Sequence, residues 1–562
     1  MKKKIIPVIA AIVLIIITIV ATYGMKVIEK YSYSKERADL FEYFNISENE
    51  TAIMLQDEIL EQKAKIIDDV AYLEFKLVQE YFNDRFYFDV NEGYLLYTGP
   101  TETVTNIVGS NSYSSTSETV EAEYPISILE GENLYIAIEY LKKYSNLSYE
   151  VFDNPSRIQI DNQWSQRQVA EIKKDTAVRV LGGIKSEILK DLKKNETVII
   201  LEKMENWSKV KTTDSLIGYV ENKRLMNERT QETEPIDEVQ EQVFSSLTRD
   251  HKINLVWHQV TNATANTYLA EMMVNASGVN VISPTWFSLI DNEGNFSNLA
   301  SVEYVNQAHA MGMEVWALID NFSPDITTKE ILSYTSKRTY LIQNLVNTAK
   351  EYGIDGINLD FESLNEDTGE DFIQFVRELS VACRANALVL SVDNYVPKDY
   401  SAHYHRSEQG IFADYLIIMG YDEHYAGGNK AGSVASINFV EEGIINTVAE
   451  VPSEKVINAV PFYTRIWSTA GTEIKADSVA MGIAESFMTS KGAEISWDEE
   501  TCQNYAEINQ ENTLYQVWLE DAASLEVKLN IMRKYSLGGV AAWKLGLETP
   551  DVWPLLNTYV SE

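Results

Sequence analysis

The sequence has little of what a disulfide scaffold, a zinc centre or a nucleic-acid-binding protein needs. Only two of its 562 residues are cysteine and six are histidine, and no paired spacing of these side chains indicates structural zinc. Lys plus Arg number 47 against 84 Asp plus Glu, so the formal net charge of −37 opposes binding to nucleic acid or anionic lipid. The composition therefore predicts no metal centre and no nucleic-acid partner.

Compositional bias of the disordered, collagenous or coiled-coil kind is also absent. Hydrophobic residues make up 45% of the chain and charged residues 23%, which are ordinary values for globular proteins. At roughly 150 residues per domain, a chain of this length predicts three to four domains rather than one core.

The first 27 residues carry a targeting signal. Lys2 to Lys4 precede an apolar run from Ile5 to Thr22, which is long enough to span a hydrocarbon core of ~30 Å. No small-residue cleavage site follows, so the pattern favours an uncleaved signal anchor over a removed signal peptide. The basic residues lie on the amino side, which predicts a single-pass protein of the cell membrane whose domains face the cell wall.

Two smaller domains are predicted before the largest one. Residues 28–165 read as an α+β accessory domain, with a helix predicted over Pro125 to Tyr144 from the spacing of its apolar residues. Its order of elements resembles the small amine-oxidase N-terminal-like domain. Residues 167–228 contain short β-rich runs, and Trp207-Ser208-Lys209-Val210 followed by Gly218-Tyr219-Val220 resembles a bacterial SH3-like domain. The resemblance implies docking to wall peptides, with a spacer role as the alternative, and residues 229–248 read as an acidic linker.

Residues 250–562 show eight β-rich apolar runs, most of them separated by amphipathic helical segments. This alternation is typical of a (β/α)₈ barrel, with one insertion in the long gap between the seventh and eighth strands. The runs are Ile253 to Trp257, Val279 to Ile282, Glu314 to Ile319, Ile354 to Phe361, Leu388 to Val392, Tyr415 to Met419, Val456 to Val460 and Gly539 to Trp543.

The fourth run carries the candidate chemistry. Alternation along a barrel strand predicts that Asn358, Asp360 and Glu362 point into the barrel. Glu362 ends the strand on the face where barrel enzymes place their active sites, and Asp360 lies one layer beneath at a rise of ~6.6 Å. Two carboxylates on one strand approach a sugar from the same side, so the pair does not suit an ordinary double displacement.

At this point the sequence resembles glycoside hydrolase family 18, whose fourth strand reads Asp-Gly-x-Asp-x-Asp-x-Glu. The resemblance implies a substrate-assisted mechanism in which the 2-acetamido carbonyl of the sugar attacks the anomeric carbon. By position, Glu362 is the general acid and later the base, and Asp360 orients the acetamido group.

Further matches lie at other strand ends. Met419-Gly420-Tyr421-Asp422 resembles the Met-x-Tyr-Asp of the family, which implies that Tyr421 bonds the acetamido oxygen and that Asp422 positions the sugar. Trp543 matches the tryptophan beneath the sugar at the cleavage point. These residues, with Met419 and Asn358, complete the predicted substrate-binding set. Outside such a combination of motifs, a tyrosine or tryptophan in the position of Tyr421 or Trp543 is more often a packing residue than a ligand-binding one.

Asn358 departs from the family pattern, which usually has a third acid there. An amide can donate a hydrogen bond to Asp360 and favour its ionised form. We therefore expect Asp360 and Glu362 to titrate as a pair without a third coupled carboxylate. The same replacement occurs in the spore and cell-wall N-acetylglucosaminidases of Gram-positive bacteria, which this sequence resembles more closely through Tyr421-Asp422-Glu423-His424 and Ala541-Ala542-Trp543-Lys544.

The sequence thus predicts an extracytoplasmic glycoside hydrolase that cleaves β-1,4 bonds after N-acetylglucosamine in peptidoglycan, with retention. No cofactor is needed, because the reaction uses an internal nucleophile and one acid/base. Two alternatives stay open: a chitinase, and an inactive carbohydrate-binding barrel. The sequence does not decide between exo and endo action or indicate an oligomeric state.

Overall fold

The computed structural model describes residues 5–234, 236, 239 and 242–562. The basic residues 2–4, on which the predicted membrane orientation depends, and Pro235 of the predicted linker lie outside the described residues. The chain divides into two compact units. One comprises residues 1–86, 108–112 and 121–241, and the other comprises residues 87–107, 113–120 and 242–562.

Helix α1 (Ile5–Tyr31) begins the described chain. Its segment Pro7–Tyr31 has a mean hydropathy of 2.6 and is long and apolar enough to cross a membrane. The helix therefore continues beyond Thr22, where the predicted apolar run ends. Length and composition fit a membrane anchor and a signal sequence equally.

Short elements follow up to residue 161. They are α2 (Leu40–Phe44), α3 (Phe75–Tyr81) and α4 (Ile138–Leu141), with β1 (Thr51–Leu55), β2 (Glu58–Ile67), β3 (Val70–Glu74), β4 (Phe86–Asp89), β5 (Tyr94–Thr98), β6 (Thr103–Ile107), β7 (Ser112–Ser114), β8 (Thr119–Glu121), β9 (Ser127–Glu130), β10 (Asn133–Ala137), β11 (Ser148–Phe152) and β12 (Arg157–Asp161). One sheet has the order β11-β12-β1-β2-β3-β10-β9, and β4 to β8 pair consecutively in a second sheet.

The helix predicted over Pro125 to Tyr144 is wrong for most of that range. Strand β10 occupies Asn133–Ala137 and pairs with β3 on one side and β9 on the other, and only Ile138–Leu141 is helical. Consecutive residues Leu134 to Ala137 of β10 are buried, so both faces of the strand are covered and its apolar run lacks the two-residue alternation of a half-exposed strand.

The predicted SH3-like region forms a β-rich barrel. Its strands are β13 (Arg167–Ile172), β14 (Thr176–Arg179), β15 (Ile188–Leu192), β16 (Thr197–Lys203), β17 (Trp207–Thr212), β18 (Ile217–Glu221) and β19 (Leu225–Gln231). This barrel shares a core with the residues before it, because Phe44 and Met54 pack with Leu216 and Ile217. The two regions therefore belong to one compact unit.

Eight parallel strands close into the predicted (β/α)₈ barrel. They are β20 (Ile253–His258), β21 (Val281–Leu289), β23 (Glu314–Asp320), β24 (Gly356–Asp360), β25 (Val389–Tyr395), β26 (Tyr415–Met419), β27 (Val456–Pro461) and β33 (Gly539–Trp543). Strand β20 pairs with both β33 and β21, so the sheet has no open edge within the ring. Strand β22 (Phe296–Asn298) pairs antiparallel with β21.

Helices cover the outside of this ring. They are α5 (Leu269–Met272), α6 (Val302–Ala310), α7 (Thr328–Leu332), α8 (Thr335–Tyr352), α9 (Gly369–Ala385), α10 (Arg406–Phe412), α11 (Ile437–Val448), α13 (Ala522–Lys534) and α14 (Val552–Ser561). Short 3₁₀ helices span Asn222–Arg224, Ala263–Tyr268, Met273–Asn275, Glu366–Thr368, Asp399–Tyr404 and Ser453–Lys455.

The insertion lies where the sequence predicts it, between the seventh and eighth strands of the ring. It consists of β28 (Tyr463–Ala470), β29 (Glu473–Ala480), α12 (Met481–Ser490), β30 (Ile495–Asp498), β31 (Gln503–Gln510) and β32 (Thr513–Leu519). Its sheet has the order β29-β28-β32-β31-β30.

Residues 87–107 pack against barrel helices α8 and α9. Arg338 of α8 is fully buried and forms two hydrogen bonds of 3.0 Å to Glu378 of α9. Its guanidinium lies 4.7 Å from the centre of the Tyr87 ring, and the Tyr87 hydroxyl donates to Asp371 of α9 at 2.6 Å. Asp89 accepts from the backbone N–H of Thr335 at 2.7 Å, so it caps α8 from outside the barrel sequence.

The Arg338→Met variant leaves the Glu378 carboxylate buried without its partner. We expect it to lose about 3–5 kcal/mol of unfolding free energy, and we expect Arg338→Met/Glu378→Leu to recover most of that loss, because neither charge is then buried alone. Urea unfolding followed by tryptophan fluorescence measures both variants. Equal losses in the single and double variants would contradict a mutually dependent pair.

Candidate active site

Alternate side chains of strand β24 point to the outside and to the interior of the barrel, as the sequence predicts. Leu359 and Phe361 belong to the core between the barrel and its helices, and the Phe361 ring stacks on Phe375 of α9 at 5.8 Å. Gly356 faces the interior, where a Cβ atom would lie 2.8 Å from the Trp316 ring. Only glycine fits this close approach. A larger residue would push the strand away from Trp316 and shift the polar residues above it.

The register of the parallel strands places three aspartates side by side. Asp360 on β24 pairs with Asp320 on β23. Leu359 pairs with Val392 on β25, which brings Asp393 next to Asp360 on the other side. Neighbouring strands lie about 4.8 Å apart, so the three carboxyl groups share one level of the barrel. We call Asp320, Asp360 and Asp393 the aspartate row.

Asn358 lies one layer beneath this row and is fully buried. Its side-chain oxygen accepts from Trp257 Nε1 at 2.8 Å and from Ser283 Oγ at 3.0 Å. Its amide nitrogen donates to Ser391 Oγ at 3.1 Å and to Asp393 Oδ1 at 2.8 Å. All four hydrogen-bonding positions of the amide are thus used.

The predicted hydrogen bond from Asn358 to Asp360 is therefore wrong, because the amide nitrogen donates to residues of the neighbouring fifth strand. The prediction that no third carboxylate couples to Asp360 and Glu362 is also wrong, since Asp393 fills that role from β25. Residue parity along one strand cannot reveal a partner on its neighbour.

Burial and charge keep a proton in the aspartate row. Burial raises the pKa of Asp360 well above its usual range, and the negative charges of Asp393, Glu362 and Asp320 raise it further. Burial also raises the pKa of Asp393, but the hydrogen bond from Asn358 opposes that rise. The Oδ1 atom of Asp360 has no hydrogen-bond partner among the described residues. Both carboxyl groups therefore favour their protonated forms, and Asp360 is not the ionised group that the sequence predicts.

Glu362 follows directly on the end of β24 and is half-buried. Its Oε2 atom accepts from the Tyr395 hydroxyl at 2.7 Å, and Asn321 binds its backbone N–H and C=O, each at 2.9 Å. Burial raises the pKa of Glu362, and the hydrogen bond from Tyr395 opposes the rise. A carboxyl group with a raised pKa, held at a strand end, is suited to donate a proton near neutral pH.

Tyr421 and Asp422 follow β26 and differ in their bonding. The Tyr421 ring packs against Tyr463 at 6.2 Å, and its hydroxyl makes no side-chain hydrogen bond in the described part of the chain. Burial and the nearby carboxylates raise the pKa of Tyr421, so the hydroxyl stays a neutral donor. Asp422 has a φ of 60° and accepts from Tyr463 at 2.5 Å and from Arg465 at 2.7 Å.

The predicted residues line two cavities. A cavity of about 250 Å³ is lined by Asp360 and Trp543, with Asp320 and Trp286 beside them. A larger groove of about 1650 Å³ is lined by Glu362, Met419, Tyr421 and Asp422. Trp543 also packs against Trp257 at 5.8 Å. Six predicted site residues thus reach cavity walls, whereas Asn358 supports them from below.

Sequence analysis missed Asp320, Asp393 and Tyr395. A signal for two of them exists in Ser391-Val392-Asp393-Asn394-Tyr395, where alternate residues of the fifth strand are polar in the same manner as those of the fourth. Among the described residues, no group of three or more His, Cys, Asp or Glu side chains is arranged to hold a metal ion.

Residues 320–548 match the family described as Glycosyl hydrolases family 18, and residues 167–226 match the Bacterial SH3 domain. The matches confirm the resemblance predicted for each of these regions. The amine-oxidase-like resemblance of residues 28–165 stays a prediction.

Several known proteins are similar to the barrel region. The cortical fragment-lytic enzyme of Bacillus subtilis (strain 168) is 30% identical over 250 residues, which are 42% of this chain and 56% of the relative. The chain thus spans little more than half of that relative. The uncharacterized glycosylase YvbX of the same strain is 24% identical over 50% of this chain and 84% of its own length. The structure of the Bacillus cereus spore cortex-lytic enzyme SleL shares the fold, with a TM-score of 0.50 and 23% identity over 57% of this chain and 78% of that chain.

The proton in the aspartate row predicts a pH dependence of stability. Where folding raises the pKa of a carboxyl group, the folded protein loses stability as the pH rises from the unfolded pKa of that group through its folded pKa. The Asp360→Asn variant removes this group, so we expect it to be more stable than the parent at neutral pH and to lose that advantage toward pH 4. Thermal melts across this range measure the difference, and a constant difference at every pH would argue against a buried proton.

Proposed function

Because the chain carries a family 18 glycosyl hydrolase domain and a bacterial SH3 domain, we propose that it hydrolyses β-1,4 bonds on the reducing side of N-acetylglucosamine in peptidoglycan, with retention. The observation that carries this proposal is the stacking of Glu362 above the buried Asp360 on one strand, so that the two carboxyl groups approach a sugar from the same side. Asp422 is engaged by Tyr463 and Arg465, and Asp320 and Asp393 lie beside Asp360 rather than across the site.

In the first step, Glu362 donates its proton to the glycosidic oxygen as the bond to the anomeric carbon breaks. The carbonyl oxygen of the substrate's own 2-acetamido group forms the new bond to that carbon, which gives an oxazolinium ion. Asp360 passes its proton to Asp393 beside it, and in its ionised form it accepts the acetamido N–H and stabilises the positive charge, while Tyr421 donates to the acetamido oxygen. Trp543 supports the sugar ring in the smaller cavity.

In the second step, Glu362 accepts a proton from water as the water oxygen attacks the anomeric carbon. The oxazolinium ring opens, the acetamido group is restored, and the product keeps the configuration of the substrate. Tyr395 supports both steps by holding the Glu362 carboxylate at 2.7 Å. Met419 and Asp422 complete the wall around the sugar.

The proposed location is the outer face of the cell membrane. Helix α1 has the length and hydropathy of a span, and Lys2 to Lys4 precede it in the sequence. The SH3 domain supports the same location, because a wall-facing hydrolase benefits from a second module that holds it on its insoluble substrate.

The Glu362→Gln variant of the full chain in detergent tests the acid assignment. We expect kcat on peptidoglycan to fall by roughly 10²–10⁴-fold while binding of the glycan persists, because the amide cannot supply the proton. Mass spectrometry after borohydride reduction should find reduced N-acetylglucosamine ends with the parent chain.

The matched control is Glu366→Gln, an exposed carboxylate on the same loop, which should leave turnover unchanged. Cleavage of chitin oligosaccharides alone would indicate a chitinase. No cleavage of either substrate by the parent chain would favour a binding barrel. Unchanged product release by Glu362→Gln would refute the assignment of Glu362 as the acid.

A further inference from the structure

The larger groove extends well beyond the residues assigned to the reaction. From Glu362 it continues over the segment after β25 and along helix α11, and its volume is several times that of the cavity beside Trp543. The residues that line this extension are mostly charged or aromatic: Lys398, Asp399, Tyr400, Arg406, Phe439, Glu442 and Glu450. Because Glu362 protonates the leaving oxygen, this extension faces the sugar beyond the cleaved bond.

Arg406 at the base of the extension is a buried cation with incomplete pairing. Its side chain is 3% exposed, and its Nη2 atom donates to Ser401 Oγ at 2.6 Å. Its Nε atom is buried and has no hydrogen-bond partner among the described residues. Glu450 attracts the guanidinium only at longer range, without an ion pair in the described part of the chain. A buried cation of this kind is costly unless an anion binds it.

Lys398 adds a second, more accessible cation on the wall of the same groove. Its ammonium group lies 2.6 Å from Glu442, and both side chains are partly exposed, at 34% and 52%. Exposed ion pairs contribute little free energy, so Lys398 can exchange Glu442 for an anion on a ligand. Tyr400, which is 75% exposed, offers a flat apolar surface beside it.

We propose that this groove binds a carboxylate carried by the sugar beyond the cleaved bond, with Arg406 at its base and Lys398 on its wall. In peptidoglycan that sugar is a muramyl residue, whose carboxylate belongs either to its lactyl group or to the peptide attached there. The inference rests on the proposed function and deepens it, because chitin has no carboxylate at this position. The groove therefore selects for wall glycan over chitin.

Steady-state kinetics of the full chain in detergent on three soluble glycans tests this inference. One glycan retains its peptides, one has had them removed by an amidase and keeps free lactyl carboxylates, and one is a chitin oligosaccharide. Arg406→Gln should raise KM roughly ten- to a hundredfold on the carboxylate-bearing glycans and leave chitin kinetics within twofold of the parent. Arg406→Lys keeps the charge and should recover part of the loss.

Lys398→Glu provides a second variant at a partly exposed position, so its folding does not depend on a buried group. It should raise KM on the same carboxylate-bearing glycans by repulsion, whereas Lys475→Gln on the exposed insertion should change nothing. An effect restricted to the peptide-bearing glycan identifies a peptide carboxylate as the ligand, an effect restricted to the amidase-treated glycan identifies the free lactyl carboxylate, and an effect on both shows that the groove binds either carboxylate.

Equal effects on chitin and on the carboxylate-bearing glycans would overturn the inference while leaving the proposed function intact. Unchanged KM in both Arg406→Gln and Lys398→Glu would do the same. Absence of cleavage of all three glycans by the parent chain would instead overturn the proposed function, and with it this inference.

Discussion

The row of three aspartates on neighbouring barrel strands is the constraint on which the rest of the site depends. Asp360 and Asp393 are buried and Asp320 is half-buried, and carboxyl groups placed together in a water-poor interior favour retention of a proton. The Asn358 amide donates to Asp393 at 2.8 Å and opposes the rise in the pKa of that carboxyl group, whereas Asp360 receives no hydrogen bond from it. Tyr421 is kept neutral by the same surroundings. In the proposed reaction, this one arrangement supplies both the acceptor for the acetamido N–H and the hydroxyl donor.

The site also depends on contacts far from the sugar. Phe361, between Asp360 and Glu362, stacks on Phe375 of α9. The same helix carries Asp371 and Glu378, which bind Tyr87 and Arg338. A segment that precedes the barrel by some 150 residues in sequence therefore helps to hold the helix against which the catalytic strand packs. This coupling gives residues 87–107 a structural role in the barrel unit.

Sequence patterns predict the barrel well because its strands carry apolar runs of the right length. They predict Glu362 as a site residue because it lies at the end of a strand. They fail where a partner comes from another strand. The pattern of a single strand predicts that Asn358 donates a hydrogen bond to Asp360. Only the register between β24 and β25 shows that it donates to Asp393 instead. The pattern of strand β10 favours a helix for a different reason, since burial of both faces hides the two-residue period. Arg406 gives no sequence signal at all, because its burial without a counter-ion is a property of packing.

The most direct test of the shared proton compares the pH dependence of kcat/KM in four proteins: the parent, Asp393→Asn, Asn358→Asp and the double exchange Asn358→Asp/Asp393→Asn. In the proposed mechanism Asp360 must be ionised to stabilise the oxazolinium ion, so we expect its pKa to set the acidic limb. Removal of the Asp393 charge should move that limb to lower pH, and a carboxylate at Asn358 should move it to higher pH. The double exchange keeps one amide and one carboxylate and should return the limb toward the parent. Superimposable acidic limbs in all four proteins would contradict the account.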